Sequence, residues 1–408
     1  MMKRDGLLPL ALTLVALLVV SGNVASVQAS ELEIGGSTAL ETRVFPGSAS
    51  FDGQDRSTFS PSLVLEPEFY YPLSDDDSLM CTPFARFDVH DERRTHMDVR
   101  ELTWVHLDDE WDTTVGIGKV FWGVTESRHL VDIINQDDGV EGVDGEDKLG
   151  QPMVNANLAT DWGTFSGFVL PGFRERTFAD DEARLRGPKP VEADDATYDS
   201  GAKDKHIDFA LRWSHSIGDV DIGLSHFHGT SREPTMKTLT RADGVSVFQP
   251  HYDLIDQSGL DAQLTTGAWL WKLEAIGRTG HGERFVASVA GLEYTFYQVA
   301  ESAADIGVIA EYLYDGRGSA APATLADHDA FVGARLTFND EQDTSVLAGA
   351  IIDIETQETF LSFEAERRLS DYWKAELEAR WSINVPDNGF FVGAENDDFL
   401  MLRMARFF

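Results

Sequence analysis

The stretch Phe399-Leu400-Met401-Leu402-Arg403-Met404-Ala405-Arg406-Phe407-Phe408 decides how the rest of the chain is read. Counting by twos, Leu400, Leu402 and Met404 form an apolar face that ends at Arg406, and Phe399, Met401, Arg403, Ala405 and Phe407 form a mixed one. That period of two belongs to a β-strand. A strand in water seldom ends the chain on a bare pair of aromatics. An aromatic ring is favoured at a lipid–water boundary, so Phe407-Phe408 points to a strand that closes a membrane barrel. A soluble strand that happens to end in phenylalanine is the alternative, and the rest of the chain has to decide.

The opposite end supports export. Lys3 and Arg4 precede an apolar run from Leu7 to Val20, and Val27-Gln28-Ala29 fits a small-residue cleavage site. This pattern predicts a secretory signal peptide over residues 1–29 and a mature barrel over 30–408. Downstream there is no run of apolar residues long enough for a membrane helix, so a membrane span has to be made of strands. The chain has 33 basic and 70 acidic residues, a formal net charge of −37, which argues against nucleic acid as a partner. Cys81 is the only cysteine, which rules out an internal disulfide.

From Glu31 onward, short alternating segments are separated by polar turns. Ile207, Phe209, Leu211 and Trp213 alternate with Asp208, Ala210, Arg212 and Ser214, and the pattern returns around Val332–Phe338 and Trp373–Trp381. Strands are expected to start near Glu31, Ser62, Cys81, Val99, Asp112, Met153, Thr164, His206, Asp219, Asp253, Trp269, Arg284, Asp305, Asp329, Thr344, Thr356, Tyr372 and Asp398. Alternation alone fits a soluble sandwich as well as a barrel; the connections separate the two. Those after even-numbered strands are short, such as Asp108–Glu110 and Ile217–Asp219, whereas several after odd-numbered strands are long, notably Gly123–Pro152, Arg174–Lys205 and Gly229–His251. Short turns at one end and long loops at the other are the arrangement of a membrane barrel. Trp111, Trp162, Trp269, Trp271 and Trp373 lie beside short turns, and Tyr312, Tyr314 and Trp381 toward the other strand ends, as two interfacial girdles require. The expected fold is all-β: a transmembrane antiparallel β-barrel of about eighteen strands, with sixteen the next choice, and one short helix in a long loop.

A terminal strand ending in phenylalanine resembles the closing strand of bacterial outer-membrane barrel proteins. That likeness implies the bacterial outer membrane, contact with its lipids, and recognition of Phe399–Phe408 by the barrel-assembly machinery. A second resemblance lies in Gly118-Lys119-Val120-Phe121-Trp122-Gly123-Val124-Thr125-Glu126, which continues through Leu130, Ile133 and Ile134 to Asn135-Gln136-Asp137-Asp138. It is similar to a stretch of porin-like outer-membrane proteins in which a strand ends in Trp-Gly and a short helix follows. In porins the long loop after an early strand folds into the lumen and narrows it. Carried over, this makes Arg128, His129, Asp132, Asp137, Asp138 and Glu141 candidates for a constriction; a loop that caps the barrel from outside is the alternative.

Alternate charges on inward faces add pore-lining candidates: Lys272, Glu274 and Arg278; Arg335; and Glu376, Glu378 and Arg380. Charges of both signs there require water or one another, because a dry unpaired charge is costly. Arg86, Arg212 and Arg403, with Arg278, Arg335 and Arg380, fall on the same faces and outline an anion track.

Catalytic readings are weaker. Ser225 and His226 are sequence neighbours and point to opposite faces of a strand, so they cannot act as nucleophile and base. His226 and His228 share a face but lack a third ligand. Neither an enzyme, nor a metal, nor a cofactor is expected. The expected function is a passive channel for small solutes, compatible with a homo-oligomer. The rivals are a barrel that exports or receives a lipid or polysaccharide within a larger complex, and an outer-membrane enzyme.

Overall fold

A computed structural model describes residues 31–386, 392 and 395–408; the expected leader over 1–29 lies outside the described residues. The strands in chain order are β1 (Glu33–Val44), β2 (Phe59–Pro72), β3 (Asp77–Asp88), β4 (His96–Leu107), β5 (Trp111–Gly118), β6 (Gln151–Thr160) and β7 (Gly163–Pro171). Then follow β8 (Thr197–Tyr198), β9 (Ile207–Ile217), β10 (Val220–Thr230), β11 (Thr235–Thr240), β12 (Ser246–Tyr252), β13 (Leu254–Thr266) and β14 (Trp269–Gly280). The last are β15 (Gly282–Phe296), β16 (Asp305–Asp315), β17 (His328–Thr337), β18 (Ser345–Asp353), β19 (Thr359–Ser370), β20 (Trp373–Ile383) and β21 (Phe399–Phe407).

Eighteen of these form one antiparallel sheet in which each strand pairs with its sequence neighbours. The sheet closes because β1 pairs with β2 on one side and with β21 on the other, Ala39 facing Ala405 and Val44 facing Leu400 across the seam. The terminal stretch that opened the sequence reading is therefore the closing strand. Leu402 and Met404 are exposed on its outer face, and Phe399 and Ala405 are buried on its inner one. The same alternation runs round the barrel: Phe209 and Leu211 point out, Asp208 and Ala210 point in. An apolar exterior with polar groups inside inverts a soluble sandwich and suits lipid.

The short connections gather at one end, and Trp111, Trp162, Trp269, Trp271 and Trp373 stand exposed beside them. In the turn between β9 and β10, Gly218 takes a φ of 64°, a left-handed conformation that glycine adopts without a Cβ penalty. At the other end two long loops meet, those between β7 and β9 and between β10 and β13. The remaining strands β8, β11 and β12 form a small sheet there, β11 antiparallel and β8 parallel to β12. This cap was not foreseen: its strands are short and pair across separate loops.

The helix expected after Trp122-Gly123 is not formed; among the described residues the only helical pieces are 3₁₀ turns at Ala193–Asp195, Lys203–Lys205 and Val299–Glu301. The segment keeps its apolar side, but its N–H groups donate to side chains of the barrel wall instead of to carbonyls one turn back. The backbone is satisfied either way, and the wall offers stronger, charged acceptors.

A closed sheet has no edge from which unfolding can start. Purified protein is expected to give a β-dominated circular dichroism spectrum and to change gel mobility only after boiling. Helical content near the globular average of roughly a third of residues is the outcome that contradicts the fold.

Candidate functional site: the barrel lumen and its inserted loop

The connection between β5 and β6 turns inward. Asn135 staples its two ends: its Oδ1 accepts from the Val120 N–H at 2.8 Å, and its Nδ2 donates to the carbonyls of Gly118 and Leu149 at 2.9 and 2.8 Å. The loop then lies on two wall carboxylates. Glu274 of β14, fully buried, accepts from the N–H groups of Val124, Thr125 and Val131 at 2.7, 3.1 and 3.2 Å and from the Thr125 hydroxyl at 2.7 Å. Glu311 of β16 accepts from the N–H groups of Glu126 and Ser127 at 2.8 and 2.9 Å and from the Ser127 hydroxyl at 2.6 Å. The Trp-Gly pair has a steric reason. Gly123 has a φ of 149°, and a Cβ there would stand 2.8 Å from His129 Nδ1 and 3.0 Å from Glu274 Oε1.

Leu130, Val131, Ile133 and Ile134 face a patch of inner wall that includes Phe168, Leu170, Phe227, Ile276 and Ile309. Burying each such side chain is worth roughly 1.5–3 kcal/mol, so this half of the lumen is a dry core. The other half of the loop is held by charge. Arg100 binds Asp138 at 2.6 Å, Arg86 binds Glu141 at 2.6 Å, and Arg380 of β20 binds Asp144 at 2.8 Å. Arg43 donates to the Glu141 carbonyl at 2.6 Å. The loop therefore spans the lumen from the β14–β16 wall to β1, β3, β4 and β20.

Most of the constriction and pore-lining candidates are already engaged in ion pairs, whereas His226 and His228 lie exposed on the outer wall. Arg128 pairs with Glu233 at 3.1 Å, which Arg278 also grips at 2.5 Å. Lys148 pairs with Asp137 at 2.7 Å and with Asp132 at 3.2 Å. Lys272 and Arg335 converge on Glu126 at 3.7 and 2.6 Å. Glu378 lies 3.4 Å from Arg380, and Glu376 pairs with Lys374 and Arg403 at 2.9 and 3.4 Å. Even Arg212 is taken, by Asp261 at 2.7 Å. The arginines of the anticipated anion track thus each hold a carboxylate, four of them on the inserted loop or on Glu233. His96 Nε2 stands 3.8 Å from Asp138 and 3.7 Å from Glu141, but Arg100 and Arg86 already occupy those carboxylates.

Sequence reasoning missed Asn135, Glu311, Glu233 and Arg100 as anchors. Glu311 and Arg100 sit at inward positions of alternating strands and could have been found by that signal. Asn135 and Glu233 lie in loops, where periodicity gives no direction.

Beside the loop, on the side of β1–β4, β20 and β21, lies an eccentric cleft of about 420 Å³. Seven carboxylates and six basic side chains line it. The loop contributes Asp144, Glu146 and Asp147. Burial, together with the charges of Glu141, Asp144 and Asp138, pushes the Asp147 carboxyl up to about 6.

Two tests follow from the anchoring. Replacing Glu274 with alanine strands buried N–H donors at roughly 1–3 kcal/mol each, so Glu274→Ala is expected to open residues 124–131 to protease while heat-modifiable mobility survives. The second concerns His129. Burial opposes its charge, but Glu146 and Glu274 outweigh burial and raise it to about 10. A raised folded value means that the pair's contribution is complete below about pH 6.5, the ordinary imidazole value, and is lost as pH rises through about 10. Protease sensitivity of the loop is expected to grow across that window, and to lose this pH step in His129→Gln.

No protein-family model matches the chain, and no curated protein matches it in sequence. Solved structures do. A BenF-like porin from Pseudomonas fluorescens superposes with a TM-score of 0.52 at 9% identity, covering 93% of this chain and 97% of that one. Wzi of Escherichia coli, an outer-membrane protein involved in group 1 capsule assembly and a carbohydrate-binding β-barrel, gives 0.50 at 8% identity, covering 91% and 84%. At such identities the shared property is the fold, a closed β-barrel. In architecture the chain is an eighteen-stranded antiparallel β-barrel that resembles outer-membrane porin-like barrels.

Proposed function

We propose that the chain is a porin-like channel through which small solutes diffuse passively across the bacterial outer membrane, narrowed by the loop between β5 and β6. The observation that carries this reading is the division of the lumen. The loop seals one half against an apolar wall and leaves a charged cleft along the other. Passage past fixed charges of both signs favours small polar solutes over apolar ones, because each charge keeps water in the cleft. The reading assigns the chain no chemical step. It includes export by a leader over residues 1–29, assembly through Phe399–Phe408, lipid contact along the apolar belt, and a homo-oligomeric state.

Selectivity in this reading comes from two sources. The chain's net charge of −37 sets an acidic field at the mouth, which concentrates cations there at low ionic strength and fades as salt screens it. Asp137, Asp138, Glu141 and Asp144 are tied to Lys148, Arg100, Arg86 and Arg380, so Glu146 and Asp147 are the loop acids to test.

A second reading has support in the likeness to Wzi and in the cap of β8, β11 and β12: a barrel that binds or passes a polysaccharide at its outer face. Planar-bilayer recording separates the two. A channel is expected to give discrete steps of small conductance, with cation preference at low salt and little at molar salt. Replacing Glu146 and Asp147 together by Gln and Asn is expected to reduce that preference, as is lowering the pH through about 6, where Asp147 takes up its proton. Properly inserted protein with no conductance favours the polysaccharide reading.

A further inference from the structure

Above the barrel rim a cluster remains that the channel reading does not use. His281, in the tight turn between β14 and β15, is 2% exposed, and neither of its ring nitrogens has a hydrogen-bond partner among the described residues. A buried imidazole without a partner is costly unless a ligand completes it. Its Nε2 faces Asp253 Oδ2 at 3.7 Å. The other oxygen of Asp253 faces His251 Nε2 at 3.6 Å, and Asp199 approaches the same nitrogen at 3.2 Å. The ligand atoms of Asp199, His251 and Asp253 all lie within 4.8 Å of one another.

These separations have a simple reading. Ligands held tetrahedrally at about 2.0–2.1 Å from one ion stand about 3.4 Å apart, close to the 3.2 and 3.6 Å that separate His251 Nε2 from Asp199 and Asp253. An imidazole and two carboxylates, with a fourth position open, suit a borderline divalent ion such as zinc; calcium and magnesium prefer all-oxygen sets. The surrounding groups orient the ligands. The Thr197 hydroxyl lies 2.9 Å from His251 Nδ1, which leaves Nε2 facing the carboxylates, and the Thr235 hydroxyl donates to Asp253 Oδ2 at 2.8 Å. Such outer contacts are what fixes a metal-binding histidine. The nearby cations are themselves occupied, Arg278 and Arg317 both being held by Glu233.

We propose that Asp199, His251 and Asp253, with His281 set against the second oxygen of Asp253 from the rim, form a zinc-type divalent-cation site that clamps the external loops to the barrel rim. These residues come from three connections. Asp199 follows β8 in the loop between β7 and β9, His251 and Asp253 flank Tyr252 at the end of the loop between β10 and β13, and His281 belongs to the β14–β15 turn. An ion there joins the outer sheet to the rigid wall, and Asp199, the most exposed of the four, lies on the route from solvent. This is independent of whether the lumen conducts.

The test uses the full chain folded in detergent, titrated with zinc in excess magnesium so that the many surface acids are masked. Bound zinc is then measured after gel filtration. One zinc per chain is expected, with affinity lowered more than about 100-fold in His251→Ala and His281→Ala. Zinc is also expected to slow proteolysis within residues 174–205 and 229–253 of the unmodified protein and not of those variants. Asp199→Asn, on an exposed loop, serves as the ligand variant if the buried ones fail to fold, as judged by heat-modifiable mobility. Absence of saturable binding, or binding unchanged in the ligand variants, overturns the site. So does loss of binding in His226→Ala with His228→Ala on the outer wall.

Discussion

Every backbone polar group in a bilayer has to find its partner within the protein, and this constraint shapes the molecule twice. It first forces the sheet to close. β1 would leave an open edge in hydrocarbon, at a cost of several kcal/mol per unpaired group, and pairing with β21 removes that edge. The same rule then acts inside the lumen. The segment after Trp122-Gly123 has given up helical hydrogen bonds, and Glu274 and Glu311 receive its N–H groups instead. Two carboxylates on neighbouring inward faces thus do for the loop what a helix would have done.

Once the loop is anchored, the chemistry of the lumen follows from which wall it meets. Its apolar side meets phenylalanines, leucines and isoleucines of the facing strands, which excludes water from that half. Its acidic side meets arginines of β3, β4 and β20. These pairs are buried, and removing one partner would leave an uncompensated charge, costing about 3–5 kcal/mol. The arginines accordingly work as fasteners. The charges that line the cleft are nearly balanced in number, seven carboxylates against six basic side chains.

The outer end obeys a different logic. There the long loops are in water, and strands as short as Thr197–Tyr198 cannot hold a sheet by themselves. Their order comes from cross-loop pairing and from polar contacts to the rim. Arg241 joins Asp181 at 2.6 Å, and Phe173 packs edge-on against Tyr198 and Tyr252.

The barrel was legible in the sequence because its rule is local. A period of two, a turn every dozen residues and a terminal Phe407-Phe408 need only neighbouring residues to be read, and each of the strands expected from them has its counterpart in the sheet. Lys272, Glu274, Arg278 and Arg380 were placed on inward faces for the same reason. What they touch was not legible, because an ion pair such as Arg380 with Asp144 joins residues far apart in the chain. The helix was misjudged on this account: Leu130, Ile133 and Ile134 have helical spacing, but the acceptors that claim the backbone belong to strands more than a hundred residues later. The cap and the site around His281 depend on three loops meeting, which no periodicity encodes. Sequence by itself determined strand order, closure and which face of each strand meets lipid, since these follow from alternation along one strand at a time. Only the tertiary structure decided where the loop lies, which charges stay free and which loops touch, since these depend on the distances between strands that closure brings face to face.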